Sequence, residues 1–385
     1  MNSHRRPARS ARAVAAVHRA TRALDRPVTT ATLRERLGAI TDATAGHDLD
    51  APADLYGTGV VADLEQRVAG LLGTPDAAFF PSGTMAQQAA LRSWAQRGAG
   101  RAVGVHALAH TQVHESDTLS RLADLQPVPV TTAPRPTSAA DVTGAAEPFG
   151  TLVLELPLRD AGFVLPTWDE LVEVTAAARD RGARVHLDGA RLWECTPHLG
   201  HPLHEIAALA DTVYVSFYKS LRGLSGAALA GPRDVVEQAR VWRHRYGGNV
   251  FQQFPVALTA LHGLEHELPR LPGYVAHARV VADALTRGLA AAGVTGAAVN
   301  PAVPHTHQFQ VWLPHPAARL EEAATRQAEE TGTALFTGSW REPGLPPGTS
   351  STEVTVGADA LAWSAADVQA ALAEFLEVLG TTPVP

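Results

Sequence analysis

A primary amine can lose its proton and attack a carbonyl, whereas a guanidinium stays charged in proteins. Of the 32 basic residues in this chain, 31 are arginine and one is lysine. That residue is Lys219, in Tyr214-Val-Ser-Phe-Tyr-Lys-Ser-Leu-Arg-Gly223. A chain that has moved almost wholly to arginine yet keeps one lysine points to covalent amine chemistry there. The bland alternative is a stray lysine left behind by a bias toward arginine. Two further segments weigh against it.

His186-Leu-Asp-Gly-Ala-Arg-Leu-Trp193 sets Asp188 at the carboxyl end of an apolar run, where open α/β sheets bind their ligands. A carboxylate there is costly to bury unless it meets a cation. A helix cap or a pair with Arg191 would be the simpler use. Phe79-Phe-Pro-Ser-Gly-Thr-Met-Ala-Gln87 runs from a strand through a small-residue turn into a helix. Ser82 and Thr84 offer hydroxyls, Gly83 permits close approach, and the first amides of the helix suit a phosphate. Ordinary helix capping draws on the same residue types. As a set, an amine, a buried acid and an anion cradle at three strand ends match the needs of pyridoxal 5'-phosphate. The amine binds its aldehyde, the acid keeps its pyridine nitrogen protonated, and the cradle anchors its phosphate.

Positioning three strand ends together takes a sheet, and the hydrophobic pattern predicts one. Short apolar runs at 77–80, 102–106, 152–155, 184–187 and 212–217 alternate with helical stretches at 60–72, 85–97, 168–181 and 203–210. Strand–helix alternation with near-continuous apolar strands predicts an α/β fold, its sheet mostly parallel and covered on both faces. A long helical region follows, 235–245 and then 254–289, broken near Gly247-Gly248 and by Pro269 and Pro272. The tail predicts a smaller α+β unit: a strand at 307–313, a helix at 317–331, a strand at 352–356 and a last helix at 365–379 capped by Ser364. The Pro/Gly-rich stretch 341–348 is expected to be a loop near a site. The boundaries expected are an N-terminal arm over 1–45, a large cofactor-binding domain over 46–255 and a small domain over 256–385.

A net charge of −7 argues against a nucleic-acid or anionic-membrane partner. One cysteine, Cys195, rules out an intrachain disulfide and a cysteine-based metal cluster. It suits a reducing cytoplasm, and no metal is expected. No apolar stretch approaches the roughly 20 residues that span a bilayer. Met1–Arg26 holds seven arginines and no acid before Asp25. It is expected to be a flexible arm or a basic helix packed on a partner subunit.

In their order and approximate spacing, five segments resemble the threonine aldolase / β-eliminating lyase family of fold-type I pyridoxal-phosphate enzymes. They are Tyr56-Gly57, Pro81-Ser-Gly-Thr84, Ala109-His-Thr-Gln-Val-His-Glu115, His186-Leu-Asp-Gly-Ala-Arg191 and the lysine segment. The resemblance covers roughly 50–265, and Asp-Gly-Ala-Arg is its most specific part. It implies a large domain with a mostly parallel sheet of the seven-stranded type plus a smaller C-terminal α+β domain. It also implies a role for each residue. Lys219 is the Schiff-base lysine, Asp188 faces the pyridine nitrogen, and Ser82, Gly83 and Thr84 hold the phosphate. His110 stacks on the cofactor ring, with Ala190 on the other face. Arg191 reaches the cofactor or the substrate carboxylate. Tyr56 lies near the substrate, often from a neighbouring subunit, so a homodimer or homotetramer with shared sites is implied.

The chain departs from the family where substrate is handled. Glu155-Leu-Pro-Leu-Arg-Asp160 stands where family aldolases carry Glu-Asn-Thr-His-Asn. Either His110, His114 or Arg159 replaces the missing histidine or the reaction differs, and Arg341 is the one C-terminal candidate for binding the substrate carboxylate. The implied activity is cleavage or formation of the Cα–Cβ bond of a β-hydroxy-α-amino acid, giving glycine and an aldehyde. β-Elimination or racemisation of an amino acid uses the same electron sink, and a non-catalytic scaffold protein is the third reading. A nicotinamide enzyme is excluded because no Gly-x-Gly-x-x-Gly turn follows the first strand.

Overall fold

Seven strands form the central sheet of the computed structural model, which describes residues 9–53, 55–343 and 347–383. They are β1 (Asp76–Phe80), β2 (Ala102–His106), β3 (Gln126–Thr131), β4 (Thr151–Glu155), β5 (Arg184–Gly189), β6 (Thr212–Ser216) and β7 (Ala227–Gly231). The spatial order is β1-β7-β6-β5-β4-β2-β3. β7 pairs antiparallel with both neighbours, so it alone runs against the rest. β6 and β7 are buried at every position, and β5 at all but its first. Such strands read as continuous apolar runs because both faces are covered.

Two strands escape the sequence pattern. β3 contains Pro127 and Pro129, which cannot donate to a ladder; it survives as an edge strand with one neighbour. β7 is Ala-Ala-Leu-Ala-Gly, a composition without β-branched residues, and its place between two strands makes it a strand.

Helices cover both faces. In α1 (Val60–Leu72), Val61, Leu64, Val68 and Leu72 form one buried stripe, and Gly73, left-handed at φ +64°, ends the helix. Burial of each such side chain contributes about 1.5–3 kcal/mol. α2 (Gly83–Trp94) and α4 (Arg233–Arg245) pack over β1, β6 and β7, around Phe80, Leu229 and Trp242. α3 (Trp168–Asp180) starts at a Thr167/Glu170 capping box. α5 (Phe254–His266) packs on α1.

The chain divides into two compact units, one over Leu37–Arg270 and the other joining 9–36 to 271–383 among the described residues. From sequence, the divisions are expected at 45/46 and 255/256. The observed break falls after Arg270 because Pro269 and Pro272 interrupt the helical run there and leave α5 with the first unit.

In the second unit, β8 (Ala298–Asn300), β9 (Gln308–Leu313) and β10 (Ser350–Thr355) make an antiparallel sheet, with β9 central. α6 (Leu271–Ala291), α7 (Ala317–Thr331) and α8 (Ala365–Thr381) join its core, in which Phe309, Leu285, Phe375 and Trp340 are buried. The N-terminal basic segment is not a free arm. Helix Ala11–Arg19, capped by Ser10, buries Ala13, Ala16 and Val17 and lies on α7 of its own chain. Arg9 pairs with Glu321 at 2.7 Å, and Arg12 with Glu322 and Glu329 at 2.9 and 2.7 Å. The acidic row on α7 takes up the arginine charge that sequence alone leaves looking unpartnered. Residues 1–8 of that segment lie outside the described residues, as do 344–346 of the expected 341–348 loop. Among the described residues, no helix is long and apolar enough to cross a membrane.

Candidate active site

Parallel strands bring the ends of β1, β2, β5 and β6 to one edge of the sheet. Each is followed by a residue with chemistry to offer, and together they line an open cavity of about 230 Å³. Gly83 and Thr84 come from the start of α2, His110 and Glu115 from the segment after β2, Asp188 and Ala190 from the end of β5, and Lys219 from three residues beyond β6.

Lys219 is half-buried, with Nζ 5.7 Å from the ring centre of Tyr218. Burial first, and then the guanidinium charges of Arg191 and Arg159, lower its pKa to about 7 against the pull of Asp188 and Glu155. The amine is therefore available in its neutral, nucleophilic form near neutrality. Arg191 lies over the Phe163 ring, with Cζ 5.2 Å from its centre.

Asp188 is 1% exposed. Its carboxylate accepts the Gln87 amide at 2.9 Å and the Ala190 N–H at 3.2 Å. Ala190 is fixed in turn by its carbonyl, which accepts the Ser216 hydroxyl at 2.7 Å. Two acceptors on this cavity have no protein partner: the side-chain oxygen of Gln87 and the second carboxylate oxygen of Glu115, both buried. Such groups are costly to leave bare, so the cavity suits a ligand that brings donors. A protonated pyridine nitrogen and a ring hydroxyl bring donors, a phosphate accepts from the α2 N-terminus, and the residues fit pyridoxal 5'-phosphate.

Gly83 is needed for that fit. A Cβ there would stand 1.9 Å from the Tyr214 hydroxyl oxygen and 2.5 Å from its Cζ. Tyr214 is buried within β6 and cannot give way. Gly83→Ala is expected to lose about 1–3 kcal/mol of folding stability by overpacking. It should also lose at least about tenfold in cofactor affinity, each tenfold being about 1.4 kcal/mol. Denaturant unfolding and a cofactor titration check the two separately.

The hydroxyls of the cradle are engaged inside the protein. Ser82 Oγ accepts the Met85 N–H at 3.3 Å as the cap of α2, and the Thr84 hydroxyl donates to Glu115 at 2.9 Å. That leaves the Ser82 O–H and the first-turn N–H groups of α2 as the phosphate-facing donors.

His110 Nδ1 lies 3.3 Å from Glu115, and His114 Nε2 lies 2.6 Å from Asp160. The two rings are 5.2 Å apart, centre to centre. Glu155, in register with Asp188 on the neighbouring strand, accepts the main-chain N–H of His110 at 2.7 Å and of Arg159 at 3.2 Å. Burial first, and then the Asp188 charge, push its pKa up to about 7. It clamps the two loops that carry His110 and Arg159. Tyr56 stands apart, 65% exposed, its ring edge-on to Phe251 at 5.6 Å. Arg341 belongs to the second unit, where its main chain pairs with Ser351.

Four residues here had no role on sequence grounds: Gln87, Glu115, Glu155 and Tyr218. Gln87 carried a signal, because it lies one helical turn from Gly83 and so shares the face of the anion cradle. Glu155 ends a predicted strand, where ligand-facing residues collect. Neither Glu115 nor Tyr218 shows a comparable pattern.

A family model described as β-eliminating lyase matches residues 28–310. A low-specificity L-threonine aldolase from Escherichia coli K12 is 32% identical over 225 residues, covering 57% of this chain and 67% of that one. A solved structure from Listeria monocytogenes, provisionally named an L-allo-threonine aldolase, superposes with a TM-score of 0.85 at 32% identity, covering 95% of this chain and 99% of its own. One from Exiguobacterium sp. 255-15, provisionally named an aromatic amino acid β-eliminating lyase/threonine aldolase, gives 0.85 at 33% identity with the same coverage.

Proposed function

Because this chain belongs to the β-eliminating lyase family, whose members include threonine aldolases, we propose that it is a pyridoxal-phosphate-dependent carbon–carbon lyase. Its reaction is cleavage of a β-hydroxy-α-amino acid to glycine and an aldehyde, or the reverse. The observation that carries the reading is the grouping of Lys219, Asp188 and the α2 N-terminus around one cavity with two bare buried acceptors.

The bound cofactor would supply an electron sink for the pair released at Cα. Lys219 would hold it through its aldehyde. Asp188, held by the Gln87 amide, would keep a proton on the ring nitrogen. The first turn of α2 would anchor the phosphate, and His110, on the same cavity, would face the ring. Arg191 and Arg159, whose charges depress the lysine pKa, are the cations that bind the substrate carboxylate. His110 or His114 takes the β-hydroxyl proton, a task suited to imidazole near neutrality.

Exposed Leu55, Tyr56, Val250 and Phe251 in the first unit support a homodimer or a tetramer of dimers. The single, buried Cys195 fits a reducing cytoplasm.

The test is product analysis. The purified protein, loaded with pyridoxal phosphate, is given a panel of β-hydroxy amino acids. Glycine and an aldehyde in equal amounts are expected. Ammonia and a keto acid would identify elimination instead, and no product from any member would overturn the enzyme reading.

A further inference from the structure

His110 lines the cavity and the His114 ring lies 5.2 Å from it, centre to centre, and each imidazole faces a carboxylate. Their geometries differ. The Glu115 oxygen 3.3 Å from His110 also accepts the Thr84 hydroxyl at 2.9 Å, so it is shared. The Asp160 oxygen lies 2.6 Å from His114 Nε2, with only 14% and 7% of the two side chains exposed. A hydrogen bond to a carboxylate in a dry setting is shorter and roughly twice as strong as a neutral one.

The loop that carries Asp160 is braced. Leu158 and Val164 pair across its neck by hydrogen bonds of 2.9 and 3.3 Å. The buried Glu155 holds the Arg159 N–H at its base. The same Glu155 holds the His110 N–H, so one carboxylate sets the loop of Asp160 against the segment of both histidines. An orienting group must be held this firmly to fix a base within a few tenths of an ångström.

Resting on the aldol reading above, we propose that His114 is the base for the β-hydroxyl proton and that Asp160 is its positioning residue, while His110 serves the cofactor face. With Nε2–H held by Asp160, the neutral ring carries its lone pair on Nδ1. Nδ1 takes the β-hydroxyl proton as the Cα–Cβ bond breaks. The oxygen's electron pair forms the carbonyl of the departing aldehyde, and the Cα–Cβ pair stays with the glycine fragment, which takes up one proton as the His114 imidazolium gives its own back to solvent, so the base is reset. Asp160 stabilises the imidazolium made in that step and keeps the ring in the useful tautomer.

The test uses the holoenzyme and a β-hydroxy amino acid that it cleaves. Asp160→Asn is expected to lower kcat by about 10²–10⁴-fold, the range for a displaced general base, with KM little changed. The visible cofactor band should stay, and Asp160→Glu should recover part of the rate. His114→Phe should cost as much, and the double variant no more than either single one, since the two act as a unit. Glu115→Gln should cost less than Asp160→Asn. Asp160→Asn that keeps its band and its kcat would overturn the proposal, as would fully additive losses in the double variant. If Asp160→Asn does not fold, His114→Phe and Glu115→Gln are compared directly, and the larger loss must fall on His114. A wild-type protein that releases no aldehyde overturns the aldol reading itself, a result visible before any variant is made.

Discussion

Lys219→Ala abolishes the visible absorption of bound pyridoxal phosphate and lowers turnover by at least about 10³-fold, because no other lysine in the chain can take its place. Arginine cannot rescue it, since Lys219→Arg restores the charge and not the deprotonable amine. Absorption spectra and single-turnover rates of the two variants check this. A wild-type rate in either would remove the amine from the chemistry.

The same lysine leaves a mark on the cofactor-free protein. Its pKa falls from 10.5 to about 7 on folding, by burial first and then by the Arg191 charge. Between those values the unfolded chain binds a proton that the folded chain does not. Stability from this group therefore rises as pH increases from about 7 toward 10.5. Lys219→Met should remove that slope and stabilise the cofactor-free protein at and below neutrality. Denaturant midpoints between pH 6.5 and 9.5 measure it; a slope equal in wild type and variant would contradict the depressed pKa.

Asp188→Asn gives the second large effect, with a different signature. Asparagine can keep a hydrogen bond with Gln87, yet it cannot stabilise a proton on the pyridine nitrogen. The variant should bind the cofactor and show its band, because Lys219 and the α2 N-terminus are untouched. Turnover should fall on the order of 10²–10³-fold, as expected when a preorganised charge is lost from the transition state. A band with little turnover separates Asp188→Asn from Lys219→Ala, which loses both. If turnover stayed within a few-fold of wild type, the carboxylate would be structural, serving only the Gln87 and Ala190 N–H groups.

Much of this molecule is legible in its residues. Strands at 102–106 and 184–187, the second running on to Gly189, and helices at 60–72 and 317–331 follow from hydrophobic period and capping. Lys219, Asp188 and the α2 turn stand out because their types are wrong for mere packing at strand ends. The edge strand β3 and the alanine-rich β7 were hidden, since their neighbours rather than their composition make them strands. The basic N-terminal helix looked unpartnered because the glutamates that neutralise it lie about 310 residues later.

What the sequence by itself determined is the chemistry on offer: one deprotonable amine, one acid bound for burial, one anion-binding turn, and a sheet able to bring them to one edge. Residue type and local period decide those things. The tertiary structure alone decided which group serves which. Gln87 on Asp188, Glu115 on Thr84, Glu155 on the His110 loop and Asp160 on His114 are pairs 31 to 101 positions apart. No local pattern encodes such pairs, because they meet only when separate βα loops converge at the carboxyl edge of a parallel sheet.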